Sequence, residues 1–259
     1  MNKILVFLLF SIAASAQTIR PTKAAQIEIA ADAYAGFDAF GFQYFIKDNT
    51  FIKTNGTQKA EFKKIALGNI RRADIRNPLL IVLFYEDFNA VVLLDNQLNE
   101  IREIKFNDLT TPVVAHAAGL ASQNRLWVFD SVTHQLMLFD YLKNNMTPIA
   151  TPFRETIADY QTDFNYFQWT DLDHNWYASD VFGKVTTLGK VPQHDRLQFV
   201  SGESLLFTEN GQLFYHNVKN GATQTVGILD NSPKNFYYEA QILAIFTSSG
   251  ITNYKIILP

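Results

Sequence analysis

The sequence predicts an all-β fold, a ring of repeated sheets known as a β-propeller, and two observations carry the prediction. Six times along the chain, two short runs rich in Leu, Val, Ile, Phe and Tyr flank a break of turn-forming residues, the mark of a β-hairpin. The pairs recur about every 40 residues, the length of a four-stranded propeller blade. A lone hairpin cannot bury both faces of its sheet, whereas blades packed around an axis give each sheet two apolar neighbours.

The units follow in chain order. Phe40 to Ile46 breaks at Lys47-Asp48-Asn49 and resumes at Thr50. Leu79 to Phe84 breaks at Tyr85 to Asn89 and resumes at Ala90. "NRLWVFDSVTHQLMLFDYL", from Asn124 to Leu142, states the pattern twice, each run ending in Phe-Asp. Asn175 to Asp180 turns around Phe182-Gly183 into Lys184 to Leu188. Ser204 to Thr208 turns at Glu209-Asn210-Gly211 into Gln212 to Asn217, and Asn-Gly is the strongest short hairpin signal of all. Ile242 to Phe246 breaks at Thr247 to Gly250 and resumes at Ile251.

The starts near 40, 79, 125, 175, 204 and 241 predict six blades, while their uneven spacing leaves five or seven open. A β-sandwich or open barrel is the rival architecture. In each unit the first run reads as an inner strand and the second as its neighbour. Only the connectors containing Asp74 and Glu155 are candidates for a turn of helix. Gln26 to Ala31 precedes the first unit, and the chain is strand-like to its end. Pairing this N-terminal strand with the last blade would close the ring and remove two exposed edges.

Residues 1–16 read as a cleaved signal peptide, with Lys3 at a positive end, an apolar run from Ile4 to Ile12, and the small-x-small motif Ala14-Ser15-Ala16. Residues 17–259 then form a single propeller domain, since no Pro-rich, Gly/Ser-rich or charge-block linker divides them. The apolar run is short for an anchor, which needs about 20 residues, and no direct membrane insertion is expected. There is no cysteine, hence no disulfide and no thiolate metal site, a usage that suits a bacterial envelope. Formal net charge is -3, and Lys and Arg form no cluster beyond isolated pairs such as Lys63-Lys64, so no nucleic acid partner is expected.

The densest unusual segment is "DYQTDFNYFQWTDLDHNWY", Asp159 to Tyr177, with seven aromatic residues: Tyr160, Phe164, Tyr166, Phe167, Trp169, Trp176 and Tyr177. Core strands of one blade are the plain reading. A protein interface is the functional one, because aromatic side chains dominate binding hot spots. A glycan site is the third, with rings stacking on sugars and Asp163, Asp171 and Asp173 lining a central funnel. Asp171-x-Asp173-x-Asn175 begins like a calcium loop but has Trp176 where Gly is required and Phe182 where Glu is required, so it reads as an Asp-rich turn.

Catalytic motifs are absent, and only carboxylate pairs for glycoside cleavage stay open, since sequence spacing does not report their separation in space. His116, His134, His174, His194 and His216 lie one per unit without zinc-site spacing, and His194-Asp195 reads as a surface turn after Pro192. Gly202-Glu203-Ser204 lacks the second Gly of a nucleophile elbow. No catalytic, metal or cofactor-binding residue is assigned, and no cofactor is expected. Asp130-Ser131-Val132 matches an Asp-Ser/Thr-apolar acceptor for O-glycosylation, with Ser131 as the candidate residue.

"SQNRLWVFDSVTHQLMLFD" resembles the blade repeat of bacterial sensor and NHL-type propellers, and "LDHNWYASDVFGKV" is a poorer copy. More broadly, "NPLLIVLFYEDFNAVVLLDNQLNE", "DFNYFQW", "DVFGKVTTLGKVP" and "SSGITNYKI" resemble uncharacterised envelope β-propeller proteins of Bacteroidota. The resemblance implies a periplasmic, outer-membrane-associated accessory protein and brings no catalytic residues. The expectation is therefore a non-enzymatic interaction or assembly subunit with a protein partner in the envelope. Its alternative is a glycan-binding or glycan-processing propeller.

Overall fold

The computed structural model describes residues 18–228 and 233–259; the signal segment 1–16 lies outside them. Six four-stranded antiparallel sheets form the ring. The chain is a six-bladed β-propeller. Blade 1 comprises Ala33–Phe37, Gln43–Lys47, Thr50–Thr54 and Lys59–Phe62, and blade 2 comprises Arg72–Asp74, Ile81–Tyr85, Ala90–Leu94 and Glu100–Lys105. Blade 3 is Ala115–Ala121, Arg125–Asp130, Gln135–Asp140 and Asn145–Pro148. Blade 4 is Ile157–Thr162, Tyr166–Asp171, Asn175–Asp180 and Val185–Lys190. Blade 5 is Arg196–Phe199, Ser204–Glu209, Gln212–Asn217 and Ala222–Val226. Blade 6 takes Asn235–Glu239, Ile242–Thr247 and Gly250–Lys255, and its fourth strand is Thr22–Ile27 from the other end of the chain.

That last pairing is the expected closure, running antiparallel from Thr22 opposite Lys255 to Ile27 opposite Ile251. Its N-terminal strand starts four residues earlier than the segment from Gln26 that the sequence suggested. The apolar pairs seen in the sequence are mostly the second and third strands of each blade, not the innermost two. First strands such as Arg72–Asp74 and Arg196–Phe199 are short and mixed in character, so hydropathy passes over them.

Blade 4 corrects the repeat. Asn175–Asp180 is its third strand, and the second is Tyr166–Asp171, inside the aromatic segment. With this change, second strands start at Gln43, Ile81, Arg125, Tyr166, Ser204 and Ile242, 38 to 44 residues apart. The connector helices also fall elsewhere. Asp74 ends a first strand, and the short 3-10 turns are Ile65–Leu67 and Phe106–Asp108. Asp74 is committed to tertiary bonds: its carboxylate accepts from the Leu120 N–H of blade 3 (2.9 Å) and from the Thr162 hydroxyl of blade 4 (3.1 Å).

Six apolar clusters fill the contacts between blades. Side chains also stitch the inner strands together around the axis. Gln161 of blade 4 donates to the Phe199 carbonyl (2.9 Å) and accepts from the Phe199 N–H (3.1 Å) of blade 5. Gln198 makes the same two-point clamp on Tyr238 of blade 6, at 2.7 and 2.8 Å. Asn235 donates to the Tyr34 carbonyl of blade 1 (2.8 Å). Close approach at the axis demands glycine: a Cβ on Gly119 would stand 2.9 Å from the Cβ of Thr162, and one on Gly36 would stand 2.8 Å from the Tyr237 ring.

Candidate interaction face

Each blade turns twice toward one face, between its first and second and between its third and fourth strands. The opposite face carries the second-to-third turns and the connectors between blades. On the first face stand the exposed side chains of Phe40, Leu79, Leu142, Phe164, Tyr166 and Phe182, the last 89 % exposed. Chance exposure of single apolar residues is ordinary, but four of these six share one construction, found also at exposed Val132 of the opposite face, whose N–H Asp130 accepts (3.2 Å).

In four of the turns an Asp or Asn two residues upstream accepts the backbone N–H of the apolar residue. Asp38 accepts from Phe40 (2.9 Å), Asn77 from Leu79 (3.1 Å), Asp140 from Leu142 (3.0 Å) and Asp180 from Phe182 (2.9 Å). Asp163 similarly accepts from Asn165 and Tyr166, both at 2.7 Å. These are Asx turns, in which a short polar side chain stands in for a backbone acceptor. They explain the repeated Phe-Asp between Asn124 and Leu142: Asp130 and Asp140 each end a strand and fix the turn that follows. Rigid turns hold the aromatic side chains ready, which lowers the ordering cost of binding.

Two connected hollows open on the same face. One, of about 300 Å³, lies at the axis and is bordered by Phe37, Pro78, Phe164 and Tyr237. The other, of about 790 Å³, runs outward between blades 4 and 5, and both are lined by Arg76, Asp163 and Glu239. Register explains the opening. Blade 5 places Gln198, Leu206, Tyr215 and Gln224 side by side across its strands, and Leu206 and Tyr215 are buried. The matching row of blade 4 is Gln161, Gln168, Ala178 and Thr186. Glutamine and alanine thus stand where blade 5 has leucine and tyrosine, and the gap is not filled.

The seven aromatic residues of the dense segment divide. Phe167, Trp169 and Trp176 are core residues, at most 4 % exposed, and this removes them from the expected interface. Trp169 stacks on Phe153 with ring centroids 4.2 Å apart and on Tyr177 at 5.3 Å, between blades 3 and 4. Trp176 stacks on Phe199 at 4.7 Å, between blades 4 and 5. Half-buried Tyr160 stacks on Phe167 at 5.7 Å, with the Arg72 guanidinium 4.3 Å from its ring centre. Phe164 and Tyr166 alone among the seven reach well into solvent, and Tyr177 is half-buried. Sequence reading missed Phe40, Leu79, Leu142 and Phe182; the Asx-x-apolar spacing was the signal that marks them.

The expected acidic funnel does not assemble. Asp163 lies on the cleft face, whereas Asp171 and Asp173 occupy a second-to-third turn on the opposite face. Asp171 accepts N–H bonds from Asp173 (3.0 Å) and Asn175 (2.8 Å), as an Asp-rich turn should. On that opposite face His194 is no surface residue: its side chain is 7 % exposed and its Nε2 lies 3.0 Å from the Asp159 carboxylate. Burial opposes its charge, but the bonds to Asp159 and to the Pro192 carbonyl prevail and raise its pKa above the ordinary value. Asp159 is held below the usual carboxylate range: burial pushes it up, and His194, Thr170 and the Arg72 charge pull it down further. Asp195 instead accepts from the Asn210 N–H (3.0 Å).

His116 meets Glu86 (2.7 Å), His216 meets the Thr223 hydroxyl (2.8 Å), and the His174 ring lies 5.6 Å from that of His194. Among the described residues no group of three or more His, Asp or Glu could hold a metal ion. Ser131 sits in a turn of blade 3, where its hydroxyl donates to the Val114 carbonyl (3.0 Å).

No family model matches this chain, and no curated protein sequence does. Solved structures do resemble it. The likeness is one of fold. Virginiamycin B lyase from Staphylococcus aureus is 12% identical over 86% of this chain and 79% of its own, with a TM-score of 0.58. The Cps50 (Swd1) β-propeller domain of Myceliophteria thermophila is 12% identical over 92% of this chain and 100% of its own, at 0.60. A protein of unknown function from Bacteroides thetaiotaomicron is 10% identical over 92% and 72%, at 0.58. Lyase and non-lyase propellers match equally well, so the shape alone carries no activity.

Proposed function

We propose that this protein is a non-enzymatic interaction propeller of the periplasm, an accessory subunit that docks a protein partner of an outer-membrane or secretion-associated assembly through its cleft face. The observation that carries the reading is the set of exposed apolar side chains on Asx-pinned turns of that face, above all Phe182. Burial in the core does not account for an apolar side chain left in water on a pinned turn, and aromatic anchors are what binding hot spots use. The export signal read at residues 1–16 and the resemblance to Bacteroidota envelope propellers support the compartment. Of the acids on the cleft face, Asp38, Asp163 and Asp180 are each committed to their own turn, while Glu239 lines both hollows beside Arg76.

The test is purification of a tagged native copy from envelopes in mild detergent, alongside a triple variant Phe164→Ser, Tyr166→Ser and Phe182→Ser. A stoichiometric envelope partner kept by the wild type and lost by the folded variant is the expected result. Equal recovery from both would refute the assigned face, and a clean monomer from both would move the function to small ligands such as glycans.

A further inference from the structure

We infer that the cleft between blades 4 and 5 receives an extended polypeptide segment of the partner, clamped through its backbone by the Gln168 side-chain amide. The inference rests on the docking reading above and names what enters the cleft.

Three features lead to it. The first is the break in the pattern of blade packing. Leu206 and Tyr215 close the corresponding space between blades 5 and 6, whereas Gln168 and Ala178 leave about 790 Å³ open between blades 4 and 5. Opening a core contact in this way forgoes buried apolar area, so the sequence gives up packing between these two blades.

The second is an unfinished hydrogen bond. The Oε1 atom of Gln168 is buried and has no partner, one of four such side-chain atoms among the described residues. Buried polar atoms nearly always find a partner, and an exception calls for an explanation. The last torsion of glutamine is broad and two-fold, so the amide can turn to offer donor and acceptor to the cleft together.

The third feature identifies the occupant. Gln168 lies directly opposite Gln161 in the sheet, and Gln161 clamps the N–H and carbonyl of Phe199, a residue of a neighbouring extended strand. Gln198, at the matching place in blade 5, clamps Tyr238 identically. The same side chain in the same row, with its amide unused and a cleft before it, is built to grip one more stretch of extended backbone. A sugar chain without acetamido groups offers hydroxyl and ring oxygens instead of a paired N–H and carbonyl. Four strands at about 4.8 Å spacing make the cleft roughly 14 Å across, wide enough to admit an extended strand beside Gln168 as Phe199 lies beside Gln161. Its rim carries Tyr166, and Phe182 stands on the turn before the rim residue Lys184, so the exposed aromatic residues border the channel.

The experiment fills the cleft and leaves the aromatic rim in place. The pair Gln168→Leu and Ala178→Tyr copies blade 5, and Thr186→Trp, at an exposed position of the outermost strand, blocks the outer half with no core change. Random linear 12-residue peptides displayed on phage are selected on the wild type, and the recovered peptides are measured against all forms, including the rim triple variant. Selected peptides that lose at least tenfold in affinity for both filled forms, with melting temperature preserved, are the expected result. Peptides that bind filled and open forms alike, or no selectable peptide at all, would overturn the clamp. In that event, loss of the native partner by the rim variant alone would still leave the docking reading standing. Recovery of oligosaccharides but no peptides by the wild-type cleft would overturn the inference in favour of a glycan site.

Discussion

Removing the last eight residues, Thr252 to Pro259, should unfold the entire ring. Most of the strand Gly250–Lys255 goes with them, and that strand pairs on one side with Ile242–Thr247 and on the other with the N-terminal strand Thr22–Ile27. Among the described residues the N-terminal strand has no other sheet partner, and only the bridge of Ile19 to Val226 just ahead of it would still hold this end of the chain. Tyr254 and Ile256 are buried at 1 % and 3 % exposure, and their side chains alone contribute about 3–6 kcal/mol. The cross-strand hydrogen bonds, at about 1 kcal/mol net each, bring the loss to on the order of 10 kcal/mol, comparable to the whole stability of an ordinary domain. Far-UV circular dichroism, thermal melting and gel filtration of the truncated chain would report it. A cooperative melt within about 5 °C of the full-length protein, with monomeric elution, would refute closure as the source of stability. Tyr254→Ala is the graded version: about 3–5 kcal/mol for an aromatic truncation, or roughly 6–20 °C in a domain of this size.

Three further outcomes are expected. Gly119→Ala forces a methyl group against buried Thr162 and disturbs its bond to Asp74, lowering stability by about 1–3 kcal/mol; an unchanged denaturation midpoint would contradict the axial packing. The His194–Asp159 pair stabilises in a defined pH window. The raised histidine contributes fully below its ordinary value of about 6.5 and loses that contribution as pH climbs through its folded value. The depressed aspartate contributes above about 4 and loses its contribution as pH falls through its folded value. The melting-temperature gap between wild type and Asp159→Asn should therefore be widest between the ordinary aspartate and histidine values, about pH 4 to 6.5, and shrink as pH rises through the raised folded value of His194; a gap that never narrows with rising pH would oppose it. If Ser131 is an O-glycosylation acceptor, intact mass of native protein exceeds the peptide mass and Ser131→Ala removes the excess; the bare peptide mass would dismiss the assignment.

The hairpins were legible because second and third strands are buried on both faces and so read as continuous apolar runs. Ile81–Tyr85 and Ala90–Leu94 contain no exposed residue. Blade 4 escaped for the opposite reason. Its second strand, YFQWTD, alternates between a core face with Phe167 and Trp169 and a cleft wall with Tyr166 and Gln168, and the glutamine breaks the apolar run. The residue that obscured the repeat is thus the one that opens the cleft. Innermost strands were illegible because their partners lie far away in sequence: the Gln161 clamp reaches 38 residues and the Asn235 bond 201. Aromatic density singled out blade 4 but could not separate Trp169, stacked between blades, from Tyr166, which faces the cleft. The Asx-pinned rim was present in the sequence as Asp38-Ala39-Phe40, Asn77-Pro78-Leu79 and Asp180-Val181-Phe182, a pattern that has meaning only once the turns are known to share a face.

Site-specific photo-crosslinking in intact envelopes tests the central claim most directly. A crosslinking amino acid is placed at Phe182 or Phe164 on the cleft face and, for comparison, at Leu172 or Val132 on the opposite face, all exposed positions. The account predicts one discrete protein adduct from the cleft-face positions and none of it from the other two. Absence of an adduct at Phe164 and Phe182, or the same adduct from Leu172 and Val132, would contradict it.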